Sequence, residues 1–236
     1  MIFLKSYLIF FLIISLSVSG DQISYQNHLF IKIPNDTVYI SKYEISNIDF
    51  VNFLNQSSKN GYVRFDSISS YIVGYYKGDR YYKNGEKIIY EINDKSPIFY
   101  KNNHFDVVDS QKNFPVTNVS WYGAFKYCDY YGLELPSEKN WLNASKGTNS
   151  QMKKVSEVKD SKQCLDSTEN NVCNLNSNVS EWIYNFYEDK SPYKQIRGSS
   201  YKTFLKHYDK KMGTYATHLL DDVGFRPIYN PDLNDK

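Results

Sequence analysis

The chain has 236 residues, with 28 Lys or Arg and 26 Asp or Glu, so its formal net charge is only +2. This length suits one large domain or two small ones and is enough to bury a hydrophobic core. The near balance of charge, with no basic stripe, argues against nucleic acid as a partner.

The first twenty residues have the order of a secretory signal peptide. Lys5 is followed by an apolar stretch over residues 7–16 and by small residues that end at Gly20. The apolar stretch is shorter than the roughly 20 residues of a membrane-spanning helix. We expect a signal peptide over 1–20 and one exported domain over 21–236, periplasmic or secreted, without a stable membrane span after cleavage. A retained anchor is the alternative.

After the signal, residues 28–34 and 37–45 alternate apolar and polar side chains and predict two strands. Ser46 is expected to cap a helix, since Asp49 follows three positions later. Residues 61–113 alternate aromatic and polar residues around an Asn-Gly pair, which predicts a β-hairpin-rich surface insertion. We expect that deletion of residues 71–91 abolishes partner binding and leaves the fold intact.

Residues 114–147 predict two short helices. Ser120 and Ser137 are expected to cap them, with Gly132 ending the first and a strand-like Leu-Glu-Leu between the two. Further on, the sequence predicts short strands and tight turns, with Gly198 and Gly224 at positions where a side chain would interfere.

The chain has three cysteines. In an oxidising compartment Cys164 and Cys173 could close a short loop, and the sequence does not decide whether they pair. Cys128 lies in an apolar helical pattern. We interpret it as a small buried hydrophobe rather than a nucleophile, because nothing nearby would lower its pKa.

Five segments resemble the formylglycine-generating enzyme, or sulfatase-modifying factor, domain family in their order and approximate spacing. They are YEISNIDFVNFL at 43–54, the helix pair at 114–147, NSNVSEWIYNFY at 176–187, IRGSSY at 196–201 and VGFRP at 223–227. The resemblance implies an α+β domain of the C-type-lectin-like, formylglycine-generating-enzyme fold, with little regular secondary structure.

The resemblance also implies a structural calcium site. Asn174 would supply its side-chain oxygen, Ser177 and Val179 their backbone carbonyls, and Glu181 its carboxylate, and Ca²⁺ prefers such hard oxygens. Ser177 stands where the family usually has glycine. The alternative is that Asn174 and Glu181 only hydrogen-bond loop backbone.

Active members of the family bind copper through two cysteines between the segments that correspond to 196–201 and 223–227. This chain has no cysteine there, so we expect neither copper nor formylglycine generation. A rearranged metal site is the alternative; its candidate ligands are His207, His218, Asp209, Asp221 and Asp222. If no metal site forms there, we expect His207 and His218 to face solvent.

Several buried residues are expected to be structural. Arg226 needs a carboxylate partner, for which Glu44 and Glu138 are the candidates. The three tryptophans, at positions 121, 141 and 182, are interpreted as core.

The sequence leaves the function between three hypotheses. The first is an exported, non-catalytic scaffold or binding protein whose insertion and loop at 202–222 engage a protein, an envelope component or a glycan. The second is a metal-dependent oxidase of the same family with rearranged ligands. The third is a ligand-binding protein with a hypervariable C-terminal loop, like diversified lectin-fold receptors. We expect no catalytic residue under the first and third.

Overall fold

The computed structural model describes residues 18–19, 21–147, 155–158, 164, 167–203 and 211–234. The predicted signal peptide therefore lies outside the described residues except for Val18 and Ser19. The helices are α1 (Asn47–Ser58), α2 (Trp121–Tyr130), α3 (Glu138–Ala144) and α4 (Pro231–Asn234). A 3-10 turn covers Asp109–Gln111.

The described strands form three sheets and one separate hairpin. In chain order, the strands are β1 (Val18–Ser19), β2 (Gln22–Tyr25), β3 (His28–Lys32), β4 (Tyr39–Ser41), β5 (Val63–Asp66), β6 (Tyr71–Tyr76), β7 (Gly85–Glu91), β8 (Ile98–Lys101), β9 (His104–Val107), β10 (Ser180–Phe186), β11 (Lys194–Arg197), β12 (Met212–Thr214), β13 (Val223–Gly224) and β14 (Ile228–Tyr229).

The order of strands brings the two ends of the domain together. One sheet has the order β1-β2-β3-β4-β14, so the last strand pairs with β4 near the start of the chain. A second has the order β12-β11-β10-β13, in which β10 and β13 are parallel. The third is β5-β6-β7, and β8 pairs with β9.

The predicted helix starts are confirmed. Ser46, Ser120 and Ser137 each have extended backbone angles, and each side chain accepts a hydrogen bond from the backbone N–H three residues later. These bonds satisfy N–H groups that have no partner inside the helix. In α3, the side-chain oxygen of Asn140 also accepts a hydrogen bond from the backbone N–H of Ser137, which completes a capping box.

The hairpin at 71–91 is present, but its predicted surface position is wrong. Residues of β6 and β7 pair from Tyr71 with Glu91 to Tyr76 with Gly85. Ile72, Ile89 and Tyr90 are all 0% exposed and belong to the main hydrophobic core. Deletion of the hairpin would therefore remove part of the core rather than leave the fold intact.

The core is built around large aromatic side chains. The predicted core residues Trp121, Trp141 and Trp182 are fully buried. Trp121 and Trp182 donate their indole N–H to the backbone carbonyls of Ile183 and Val119, as a buried indole requires.

Helices long and apolar enough to cross a membrane are not found among the residues that the structure describes.

Candidate functional site

The four predicted calcium ligands lie on the buried segment 174–181, a loop that continues into the start of β10. Asn174, Ser177, Val179 and Glu181 are each at most 1% exposed. Asn174 adopts a left-handed backbone conformation with φ of 60°, which asparagine tolerates better than most residues. The Oδ1 atom of Asn174 and the Oγ atom of Ser177 are buried without a hydrogen-bond partner. Burying a polar atom without a hydrogen-bond partner or a bound ion costs free energy.

The Glu181 carboxylate is held by other side chains. Arg226 donates from Nε and Nη2 to its Oε1 atom over 2.7 and 2.6 Å. Trp141 donates its indole N–H to Oε2 over 3.0 Å. Glu181 was not among the predicted partners of Arg226. Of the two predicted partners, Glu44 and Glu138, Glu44 lies nearby, with its carboxylate 3.8 Å from Nη2 of Arg226.

The prediction that Glu138 pairs with Arg226 is wrong. Glu138 instead forms an ion pair with Arg197 on β11 and accepts a hydrogen bond from Gln195 over 2.9 Å.

Glu44 adds a second buried carboxylate to the same cluster. It accepts hydrogen bonds from Nδ2 of Asn178 over 2.9 Å and of Asn174 over 3.5 Å. Burial raises the pKa of Glu44 to about 7; Arg226 opposes this rise and Glu181 adds to it. Two carboxylates thus share one guanidinium when both are ionised, and this excess of negative charge favours a cation nearby.

The donor set of the loop fits calcium. It offers the partnerless Asn174 Oδ1, backbone carbonyls of a tight loop and a carboxylate, all of which are oxygens. The Glu181 carboxylate would then both pair with Arg226 and act as a ligand of the cation. Clusters of three or more His, Cys, Asp or Glu able to hold a metal do not occur among the described residues.

The alternative ligands at 207–222 are only partly described. His207 and Asp209 lie outside the described residues. His218 is exposed, with Nδ1 2.5 Å from Thr214 Oγ1. Asp221 forms an ion pair with Lys202, and Asp222 accepts a hydrogen bond from Ser200 over 2.6 Å. The described members of this set therefore bind other protein groups.

The cysteines form a disulfide and one isolated thiol. Cys164 and Cys173 are joined, with their Cα atoms 5.3 Å apart. Cys128 is a free cysteine on α2 and is 1% exposed. Burial raises the pKa of its thiol well above the usual value, so it is a poor nucleophile at neutral pH.

A cleft of about 470 Å³ lies between the segment 61–113 and described residues of the C-terminal part of the chain. The segment 61–113 contributes Asp94, Lys95, Ser96, Pro97, Val108 and Gln111 to the lining, and Tyr201 and Asp221 come from the C-terminal part of the chain. Asn47, at the start of α1, also lines the cleft. These residues are far apart in the sequence, so no local sequence pattern predicts that they line one cleft.

Comparison with protein families identifies the chain. A model of the sulfatase-modifying factor enzyme 1-like domain matches residues 31–164, which is more than half of the 236 residues. The chain belongs to the sulfatase-modifying factor family. The resemblance inferred from the five sequence segments is thus confirmed.

Solved structures confirm the predicted α+β fold of this family. CarF aligns with a TM-score of 0.51 at 15% identity, over 82% of this chain and 86% of that one. PvdO from Pseudomonas aeruginosa aligns with a TM-score of 0.51 at 14% identity, over 81% and 79%. Treponema denticola variable protein 1 aligns with a TM-score of 0.52 at 14% identity, over 93% and 99%.

At these identities the structural likeness shows the fold alone. A comparison with curated protein sequences finds no significant match.

Within the sulfatase-modifying factor family, the expected pair of copper-binding cysteines has no counterpart here. The sequence contains three cysteines, two of which form the disulfide while the third is buried alone. Two free thiolates cannot meet at one metal ion in this chain in its oxidised form.

Proposed function

We propose that this sulfatase-modifying factor family member is an exported, non-catalytic binding protein. The cleft that the segment 61–113 lines together with Tyr201 and Asp221 is its contact surface for a partner. The observation that carries this proposal is that two separate, loop-rich parts of the chain line one cleft of about 470 Å³. Binding surfaces are commonly built from loops on a rigid frame.

Two further observations support the proposal. The copper-binding thiol pair that active relatives require is missing from the sequence. The disulfide between Cys164 and Cys173, together with the signal-like first twenty residues, fits a protein that works in an oxidising compartment. Within that compartment, the partner would be a protein, an envelope component or a glycan.

Filling the cleft tests the proposal. Thr117 lines the cleft, whereas Thr37 is exposed on the turn between β3 and β4 and does not. In its native host, Thr117→Trp should lose the photo-cross-linked partners that the wild-type protein captures, and Thr37→Trp should keep them. Unchanged cross-links for Thr117→Trp, with folding confirmed by circular dichroism, would contradict this use of the cleft.

We also propose that the loop 174–181 holds one structural calcium ion. The support is the buried, partnerless Oδ1 atom of Asn174 and the excess of carboxylates beside it. Bound calcium would supply the positive charge that Glu44 and Glu181 lack with Arg226 alone. The residues Asn174, Ser177, Val179 and Glu181 would hold it.

Elemental analysis of the mature protein, purified without added metal, tests the calcium site and the oxidase alternative together. We expect about one calcium ion per chain. Asn174→Ala should lose it, while Asn171→Ala, a change in the neighbouring turn, should keep it. Stoichiometric iron or copper instead would overturn the non-catalytic proposal and favour a metal-dependent oxidase.

A further inference from the structure

A second pocket, of about 280 Å³, is lined by α2, by residues 133–135 that follow it, and by one residue of β10. It shares no lining residue with the cleft. Its buried lining is apolar and consists of Cys128, Leu133 and Leu135. Its exposed lining includes two carboxylates, Asp129 and Glu134. The pocket therefore combines an apolar floor with an acidic rim.

Aromatic rings form another part of this pocket. Tyr184, on β10, lines it and is 56% exposed, so its ring is accessible to a ligand. Phe125 also lines it, with the indole ring of Trp121 stacked on it at 5.2 Å. Because the face of an aromatic ring carries partial negative charge, such rings attract cations.

The charges around the pocket do not cancel. Asp129 lies 3.8 Å from Lys126 and accepts a hydrogen bond from Tyr62. Among the described residues, the carboxylate of Glu134 accepts one long hydrogen bond of 3.4 Å, from Asn230. Within the described part of the chain, two carboxylates line this rim and one lysine, Lys126, pairs with one of them, which gives the rim an excess negative charge.

A second lysine near the aromatic wall does not offset this excess. Lys194 lies 5.7 Å from the ring centroid of Tyr184, but Asp79 lies 3.5 Å from its ammonium group.

We propose that this pocket binds a small organic ammonium group. The cation would contact the faces of Tyr184 and Phe125, its alkyl part would cover the apolar floor, and Asp129 and Glu134 would balance its charge. Pockets for drug-sized ligands occupy about 300–1,000 Å³, so this one suits a single headgroup. The ammonium group could belong to a free amine or to a lysine side chain of a protein.

A fluorescence titration tests the assignment, because Trp121 lies 6.4 Å from Tyr184 and can report occupancy. The probes are choline, its neutral carbon isostere, and lysine blocked at both ends. We expect choline or blocked lysine to give a saturable signal, and whichever binds more tightly identifies the source. The neutral isostere should bind at least about tenfold more weakly than choline. Equal binding of choline and its isostere, or no binding by either cation, would overturn the proposal.

Matched variants locate the binding. Tyr184→Ala and Glu134→Gln should each weaken binding about tenfold. Tyr75→Ala, at a tyrosine that is 58% exposed on β6, and Glu188→Gln, at an exposed glutamate after β10, should leave it unchanged. If Tyr184→Ala does not fold, Glu134→Gln decides the result alone. Full affinity in Glu134→Gln would then overturn the location.

The proposal stands apart from the use of the cleft. The cleft variant Thr117→Trp should bind choline as the wild type does, so failure of one proposal leaves the other testable.

Discussion

Glu181 and Arg226, 45 positions apart in the sequence, form an ion pair that is 0% exposed on both sides. The same guanidinium donates to the backbone carbonyls of Ser41, Lys42 and Cys173. It therefore connects the end of β4, the disulfide loop and β10 at one point. Because every donor of Arg226 that these bonds use is buried, the loss of a partner leaves a buried donor without its closest acceptor.

We predict that Glu181→Gln lowers the free energy of unfolding by about 3–5 kcal/mol, since it breaks a fully buried ion pair and Glu44, 3.8 Å from Nη2 of Arg226, replaces the close contact poorly. Urea unfolding followed by circular dichroism measures the change. Glu86→Gln, which breaks the exposed pair with Arg64, is the control and should change stability little. Equal effects of the two substitutions would contradict a structural role for the buried pair.

The buried ammonium of Lys194 predicts a pH dependence. Burial lowers the pKa of Lys194 to about 8, and Asp79 opposes this shift. In the unfolded chain a lysine titrates near its ordinary value of about 10.4, so the unfolded state binds more protons between these two pH values. Stability therefore rises with pH over this interval.

We expect the wild-type protein to gain about 1–2 kcal/mol relative to Lys194→Met between pH values of about 8 and 9.5. Urea unfolding at several pH values provides the measurement. Lys83→Met, at an exposed lysine in the turn between β6 and β7, is the control and should follow the wild-type curve. Parallel curves for wild type and Lys194→Met would show that Lys194 does not titrate in this interval.

Two glycines with positive φ separate the effect of space from that of backbone conformation. A Cβ atom on Gly198, where φ is 79°, would lie 2.6 Å from the carbonyl oxygen of Leu175. Gly61 has a similar φ of 74°, but nothing lies within 4 Å of its added Cβ. Gly198→Ala should therefore destabilise the protein by about 1–3 kcal/mol more than Gly61→Ala does. Thermal unfolding of both variants measures the difference, and equal losses would mean that conformation alone determines the cost.

The disulfide should contribute to stability through the short loop that it closes. Cys164 and Cys173 are nine positions apart, and closing a loop of this length is worth about 2–3 kcal/mol in the chain-entropy model. The double variant Cys164→Ser/Cys173→Ser should lose this amount in urea unfolding. Reducing agent should destabilise the wild type and have no effect on the variant; a reductant effect on both would point to another cause.

Local features of the sequence predicted the helix starts well. Ser46, Ser120 and Ser137 each cap a helix, and each bond reaches only three residues along the chain. Gly198 and Gly224 were also predicted to leave no room for a side chain. The added Cβ of Gly224 would lie 2.7 Å from the carbonyl oxygen of Val116. In these cases the requirement is visible in the residue type and its immediate neighbours.

Long-range partners were harder to predict. The alternation in residues 71–91 correctly predicted a hairpin but not its burial, which depends on the packing of α2 against β7. Arg226 was expected to pair with Glu44 or Glu138, yet Glu181 holds it most closely, because β10 and the segment after β13 are brought side by side. The calcium site stays a proposal.

The sequence by itself determined the capped helices and the hairpin, because each depends on residue types at short spacing. It also determined the family, because five separate segments occur in the order that the family has. Only the tertiary structure decided which charges meet at Arg226, whether Cys164 joins Cys173, and which loops line the cleft and the acidic pocket. The contacts at Arg226 and in the cleft join residues that are distant along the chain, so they follow from how the sheets and helices pack into one core. The disulfide spans only nine positions, but its formation requires the loop to bring the two cysteines within bonding distance.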